Sequence, residues 1–234
     1  MKTFRLFGSL LVLSLISCGT LVRADIVIDN FNEGGVSLFV NNSSIQASDT
    51  DTGLSTTNTV GGERYAVLNW RAGTDNTTLQ INQPGDNLQK CGFGSQPANA
   101  GWFDLIYGNS TDLNLDLTQN GTNDSIGILF LFSDIAGTTT VSVTTTGLGT
   151  STLSKSNPMG GDMSTWVWFS YSDFSAGADF SNIDKITIQS DGVAGRDTIF
   201  DMVGTSQQIP EPSSFALIGL AGVAILRWRR NKKT

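Results

Sequence analysis

The sequence has no histidine at all, and only two cysteines, Cys18 and Cys91. Without histidine there is no Ser–His or Cys–His pair, no imidazole general base, and none of the commonest zinc ligand. If the segment containing Cys18 is removed on export, Cys91 is left alone and no intramolecular disulfide can form. The fold must then stand on packing, and Cys91 reads as a small buried hydrophobe. Glutamate is scarce too: between the two ends only Glu33 and Glu63 accompany the aspartates. A Glu-x-Asp-x-x-Glu pattern, a Gly-x-Ser-x-Gly elbow and a phosphate-binding Walker loop are all missing. Two carboxylates placed across a cleft, as glycoside hydrolysis needs, are not indicated. The expectation is a non-catalytic protein.

Positive charge is scarce in the body of the chain. Six of the 14 basic residues but 20 of the 21 acidic ones lie between Asp25 and Gln208, a net charge near −14 for that stretch. Such a surface repels phosphate backbones, so no nucleic-acid partner is expected. Cations are its natural counter-charge. What is present is 39% hydrophobic residues with 13 Phe and 5 Trp, enough for a packed core. The remainder is rich in Gly, Ser, Thr, Asn and Asp, which favours strands and turns over helices.

Eleven strand-like runs follow one another: 25–31, 36–40, 64–70, 78–81, 102–107, 113–117, 126–132, 139–144, 166–171, 185–189 and 198–203. Many alternate with period two, as in Leu113-Asn114-Leu115-Asp116-Leu117 and Ile186-Thr187-Ile188. Asn120-Gly121, Gly61-Gly62, Asp191-Gly192 and Gly160-Gly161 supply turns between them. Short strands with turn chemistry predict an all-β, antiparallel β-sandwich over residues 25–208. Ile128–Phe132 is apolar on both faces and is expected inside a sheet. Glu63 beside Arg64 reads as a paired structural carboxylate.

The two ends read as addresses. Lys2 and Arg5 precede an apolar stretch, Leu6–Ile16, too short to span a bilayer, and residues 1–24 read as a signal peptide. Signal peptidase is then expected to cut between Ala24 and Asp25. The alternative is lipidation at Cys18, because Leu15-Ile16-Ser17-Cys18 has lipobox form. Residues 209–234 begin with Ile209 and the motif Pro210-Glu211-Pro212. The two prolines fix φ and hold one carboxylate in extended backbone, suited to an enzyme cleft. A twelve-residue apolar run follows, Phe215–Leu226, including Phe215, Leu217, Ile218 and Leu220 and then Val223, Ile225 and Leu226. As a helix it measures about 18 Å at about 1.5 Å per residue, short of a hydrocarbon core of about 30 Å. Arg227, Arg229, Arg230, Lys232 and Lys233 close the chain and are expected to stay cytoplasmic.

The order Pro-Glu-Pro, single hydrophobic helix, basic stop resembles the PEP-CTERM sorting signal at each element. That resemblance implies recognition and cleavage by an exosortase, transient anchoring in the membrane, and delivery to the cell envelope or extracellular surface. It also implies an association with exopolysaccharide or biofilm. A second resemblance lies in the body. Ile28-Asp29-Asn30-Phe31-Asn32-Glu33-Gly34, Gly61-Gly62-Glu63-Arg64, Leu115-Asp116-Leu117-Thr118 and Asp197-Thr198-Ile199-Phe200-Asp201-Met202-Val203 look like stretches of the jelly-roll bodies that precede this tail. Similar bodies resemble carbohydrate-binding modules in architecture, which implies polysaccharide as a partner and a structural calcium ion where first and last strands meet. The corresponding oxygen ligands here are Asp29, Glu33 and Asp201, with exposed strand-edge acids as the alternative reading. For a sugar ligand, Trp166 and Trp168 share one face of a strand whose other face carries Val167 and Phe169. Either those indoles are exposed for stacking, or the strand is buried on both sides.

Overall fold

A computed structural model of the protein describes residues 26–85, 88–161 and 164–206. Thirteen strands run in chain order: β1 (Val27–Asp29), β2 (Val36–Val40), β3 (Gln46–Thr52), β4 (Glu63–Ala72), β5 (Thr77–Ile81), β6 (Cys91–Ser95) and β7 (Ala100–Tyr107). They continue as β8 (Ser125–Ser133), β9 (Gly137–Thr145), β10 (Gly149–Ser156), β11 (Thr165–Ser170), β12 (Lys185–Gly192) and β13 (Asp197–Ser206). One sheet has the order β11-β8-β13-β6-β5-β2, with β1 added against β13; the other has the order β10-β9-β12-β7-β4-β3. Every pairing is antiparallel. The expected all-β antiparallel sandwich is therefore the fold. The helical pieces among the described residues are two short 3-10 turns, Val60–Gly62 and Tyr171–Asp173.

Alternation explains most of the strands. In β7, Phe103, Leu105 and Tyr107 are buried while Trp102, Asp104 and Ile106 face outward. In β9, Val141 and Val143 are buried between outward Thr and Ser. The two inner faces meet through phenylalanines. Phe103 of one sheet lies 5.4 Å from Phe93 and 5.7 Å from Phe200 of the other, and Phe200 meets Phe130 edge-on at 4.7 Å. Such tilted and T-shaped contacts suit the ring quadrupoles and add to area burial. As expected, β8 lies inside its sheet, between β11 and β13. Cys91 is an unpaired cysteine buried in this core, and burial pushes its thiol well up.

Four features differ from the sequence expectation. Residues 113–117 form no strand. Asn114 takes a left-handed φ of 48°, and the segment makes only an isolated bridge, Leu115 to Ile183. Its leucines still pack on the core, with Leu117 fully buried. β3, β6 and β10 were not expected, because each lacks an apolar face in its sequence or interrupts it with glycine.

Two arginines, Arg64 and Arg196, are fully buried, and their surroundings differ. Arg64 Nη1 donates to Asp29 Oδ2 at 2.9 Å, and Nη2 donates to Asp51 Oδ2 at 2.6 Å and to the Glu33 carbonyl at 3.0 Å. Gly34, at φ 72°, leaves room for this meeting, because a Cβ there would lie 2.5 Å from Asp51 Oδ2. Arg196 Nη1 donates to Ser190 Oγ at 3.1 Å and to the Asp191 carbonyl at 2.8 Å. No carboxylate among the described residues is within ion-pair distance of Arg196. Burial accordingly brings its guanidinium down to about 10, with Asp134 and Asp191 opposing.

Candidate functional site on the outer face of the seven-stranded sheet

The sequence Cys91-Gly92-Phe93-Gly94-Ser95 sends Cys91, Phe93 and Ser95 inward and leaves the outer face of β6 without side chains. Its neighbours are not bare. Across the ladder, Gly94 pairs with Thr78 of β5 and with Asp197 of β13, and Gly92 pairs with Gln80 and Ile199. Ile199 in turn pairs with Phe132 of β8. Two cross-strand rows result, Thr78–Gly94–Asp197 and Gln80–Gly92–Ile199–Phe132. Each has glycine in the middle and side chains on both flanks.

The consequence is a trough along β6 of about 290 Å³, floored by Gly92 and Gly94 and lined by Thr78, Gln80, Phe132, Asp197 and Ile199. With strands spaced about 4.8 Å apart, the two flanking strands stand roughly 10 Å from each other. One wall offers apolar carbon, from Ile199 and the Phe132 ring. The rest offers hydrogen-bonding groups. Asp197 leans over the floor, its Oδ1 3.0 Å from where a Gly94 Cβ would stand, with Thr78 Oγ1 3.5 Å from the same point. Burial pushes the Asp197 carboxyl up, helped by Asp134 and opposed by the Ser95 N–H. Beyond Thr78 the first row continues to Phe39 of β2, an outward aromatic that is 47% exposed.

The same face carries the two tryptophans expected to bind ligand. Trp166 pairs with Leu129 and Trp168 with Gly127, while Phe169 on the opposite face is buried in the core. The structure resolves the two alternatives to an intermediate. Both indoles point outward but are half-buried, stacked on each other at 5.0 Å and 15°. They lie over Gly127, where a Cβ would collide with the Trp168 ring. They form a ledge on the edge strand, separate from the trough's lining.

Two of the three calcium candidates, Asp29 and Glu33, are engaged by other groups. Asp29 Oδ2 accepts from Arg64 and from Tyr107 Oη, both at 2.9 Å, and Oδ1 accepts from the Phe31 N–H at 2.8 Å. Burial pushes the Asp29 carboxyl up, against Arg64 and the Phe31 N–H. Glu33 accepts from the Ser55 N–H and from Asn58 Nδ2, both at 2.6 Å. Asp201 sits where β13 shifts register. Among the described residues no three Asp, Glu, Cys or His side chains are grouped to hold a metal. The Glu63 expectation is corrected: Glu63 accepts from the Ser110 N–H and hydroxyl, and Arg64 pairs elsewhere. The sorting motif Pro210, Glu211 and Pro212, the apolar run, the basic stop, the Ala24–Asp25 cleavage site and Cys18 all lie outside the described residues. No helix among the described residues is long and apolar enough to cross a membrane.

The trough was missed from sequence. Its only signal was the glycine on alternate positions of an otherwise core-facing pattern, Gly92 and Gly94 around Phe93.

The model of the PEP-CTERM protein-sorting motif matches residues 208–231. The chain thus carries this motif, which indicates export and a membrane-linked sorting signal, behind a β-sandwich. No curated protein matches the chain. Among solved structures it is similar to a family 11 carbohydrate-binding module from Clostridium thermocellum in complex with a beta-1,3-1,4-mixed-linked tetrasaccharide, at 13% identity and TM-score 0.39, over 78% of this chain and 95% of that one. It is also similar to TmCBM61 in complex with beta-1,4-galactotriose, at 13% identity and TM-score 0.33, over 74% of this chain and 88% of that one. A third likeness is to a glycoside hydrolase family 43 arabinoxylan arabinofuranohydrolase from Bacillus subtilis, at 13% identity and TM-score 0.31, over 75% of this chain and 41% of that one.

Proposed function

We propose that the protein is a non-catalytic component of the cell surface or extracellular matrix that holds a polysaccharide chain in the trough on β6. An exosortase releases it from its transient anchor, and it then works among exopolysaccharide or biofilm polymer. The observation that carries this reading is the trough itself. Pyranose rings present C–H faces and ring-edge hydroxyls, and the trough offers Phe132 and Ile199 for the first and Thr78, Gln80 and Asp197 for the second. The glycine floor lets a flat ring approach the sheet closely. Asp197 is the one carboxylate lining it among the described residues, so the paired acids of a glycosidase are not supplied there.

Titration of the mature exported protein with neutral β-linked oligosaccharides tests this. Saturable binding is expected, and Gly94→Leu should weaken it about tenfold, or about 1.4 kcal/mol, by raising the floor. That variant should still fold. The first atom its Cβ meets is the tip of the Asp197 side chain, which can move. An absence of saturable binding across the panel, or equal binding by Gly94→Leu, contradicts the reading.

A further inference from the structure

The charge of the trough narrows what can lie in it. Among the described residues that line it, only Asp197 is ionisable, and none is a lysine or arginine. Its carboxylate is exposed, but it stands over the floor of the trough. It leans across Gly94 toward Thr78, so a bound chain must pass beside it. A second carboxylate stands at the same place: Asp134 Oδ1 accepts from the Asp197 N–H at 2.8 Å, and the Asp134 N–H donates to the Asp197 carbonyl at 3.3 Å.

Among the described residues neither acid forms an ion pair, and Arg196 acts on Asp134 only at longer range. The four ion pairs among the described residues join Arg64 to Asp29 and Asp51, Arg71 to Asp191, and Lys155 to Asp173. Arg196 is next in sequence to Asp197, yet its side chain is buried over Gly137 and Gly192 and donates to Ser190 and Asp191. The body around the trough carries 20 acidic residues against six basic ones. A polymer bearing uronate, sulfate or phosphate would meet like charge both at long range and at Asp197.

We propose that the glycan held in the trough is an amino sugar polymer with free, protonated amines, and that Asp197 is the carboxylate that receives them. This rests on the trough reading above and adds the substrate class. An ammonium on the ring would pair with Asp197 while the ring's carbon face lies against Ile199 and Phe132, giving a charge-assisted hydrogen bond beside an apolar contact. Asp134 adds to the field without touching the ligand. The uptake of positive charge also relieves the crowding of the two carboxylates, which together with burial holds the Asp197 carboxyl above its ordinary range.

The test compares oligosaccharides of one β-1,4 backbone and one length: a glucose oligomer, an N-acetylglucosamine oligomer, a glucosamine oligomer with free amines, and a glucuronic acid oligomer. The mature protein is titrated with each at about pH 6, where sugar amines are protonated. The glucosamine oligomer is expected to bind roughly five- to tenfold tighter than the glucose oligomer, and the glucuronic acid oligomer weakest. The advantage should shrink as salt is raised, because the pair is partly exposed. Asp197→Asn should abolish the amine preference, so that the glucosamine and glucose oligomers bind the variant equally well. Asp197 is exposed and Asn is nearly isosteric, so the variant's melting temperature should match the parent's. Equal binding of the glucose and glucosamine oligomers overturns the amine proposal and leaves the trough reading standing. A preference that survives Asp197→Asn overturns the role of Asp197. Binding of none of the four overturns the trough reading itself.

Discussion

Replacing each buried arginine by methionine should give different outcomes at Arg64 and Arg196. Both side chains are fully buried, and methionine approximates the aliphatic length of each. Arg64→Met removes the cation from a site that keeps two carboxylates, Asp29 at 0% and Asp51 at 14% side-chain exposure. Asp29 would retain the Tyr107 hydroxyl and the Phe31 N–H but lose its counter-charge. Breaking a buried pair in this way costs about 3–5 kcal/mol, which for a domain of this size lowers Tm by roughly 6–20 °C. At Arg196 there is no ion pair to break. Its Nε and Nη2 have no hydrogen-bond partner among the described residues, and burial already disfavours its charge. Arg196→Met forgoes two hydrogen bonds from Nη1 and removes a buried charge, so the net change should stay within about 1 kcal/mol of zero. Thermal and urea melts of the two variants decide the matter. The loss at Arg64→Met should also be smaller at about pH 5 than at pH 8, because Asp29 can then take up a proton. Equal losses at the two positions, or a greater loss at Arg196, would refute the reasoning.

Tyr107→Phe removes one donor to Asp29 and should cost about 1–2 kcal/mol, read from the urea midpoint. Alanine at Pro210, Glu211 and Pro212 should leave uncleaved precursor in the membrane fraction, seen as a mass increase; an unchanged mature mass would rule out motif-directed processing. The pH dependence of stability follows from Asp29, Asp104 and Asp197, whose carboxyls burial pushes up. An acid with a raised folded-state pKa favours the fold at low pH, and that contribution is lost as pH rises through the folded value. Asp116, which is half-buried, and Asp179, which is exposed, shift the other way through hydrogen bonds to their own turns, a smaller effect. Tm should therefore fall as pH rises above the ordinary carboxylate value of 3.8, and Asp104→Asn should flatten the fall.

The sandwich was legible because most of its strands state their own inner face. Phe103, Leu105 and Tyr107 alternate with outward residues along β7, and no partner strand needs to be known to see it. β3 and β10 were not legible for the converse reason. Gln46-Ala-Ser-Asp-Thr-Asp-Thr and Gly149-Thr-Ser-Thr-Leu-Ser-Lys-Ser lie at sheet edges and bury little, so tertiary pairing rather than hydrophobic patterning makes them strands. The leucines of 113–117 failed in the opposite sense: they alternate, yet the left-handed Asn114 turns them onto the core without a ladder.

At the site level, sequence placed acids and indoles by type but not by partner. Asp29 looked available for a metal until Arg64 and Tyr107, 35 and 78 residues away in the chain, were seen to converge on it. Arg64 looked paired with its neighbour Glu63, but adjacent residues on a strand point to opposite faces, and only Arg64 points into the core. The trough was invisible because it is made by what β6 lacks. Two glycines become the floor of a trough only when β5, β13 and β8 supply the walls.

The most direct test of that surface is amide chemical-shift mapping of the mature protein during titration with a β-linked oligosaccharide. The largest shifts are predicted at Thr78, Gly92, Gly94, Asp197 and Ile199, with the six-stranded sheet unmoved. Shifts confined to other regions, or none at saturating sugar, would contradict the assignment of the trough as the site where this protein meets its polymer.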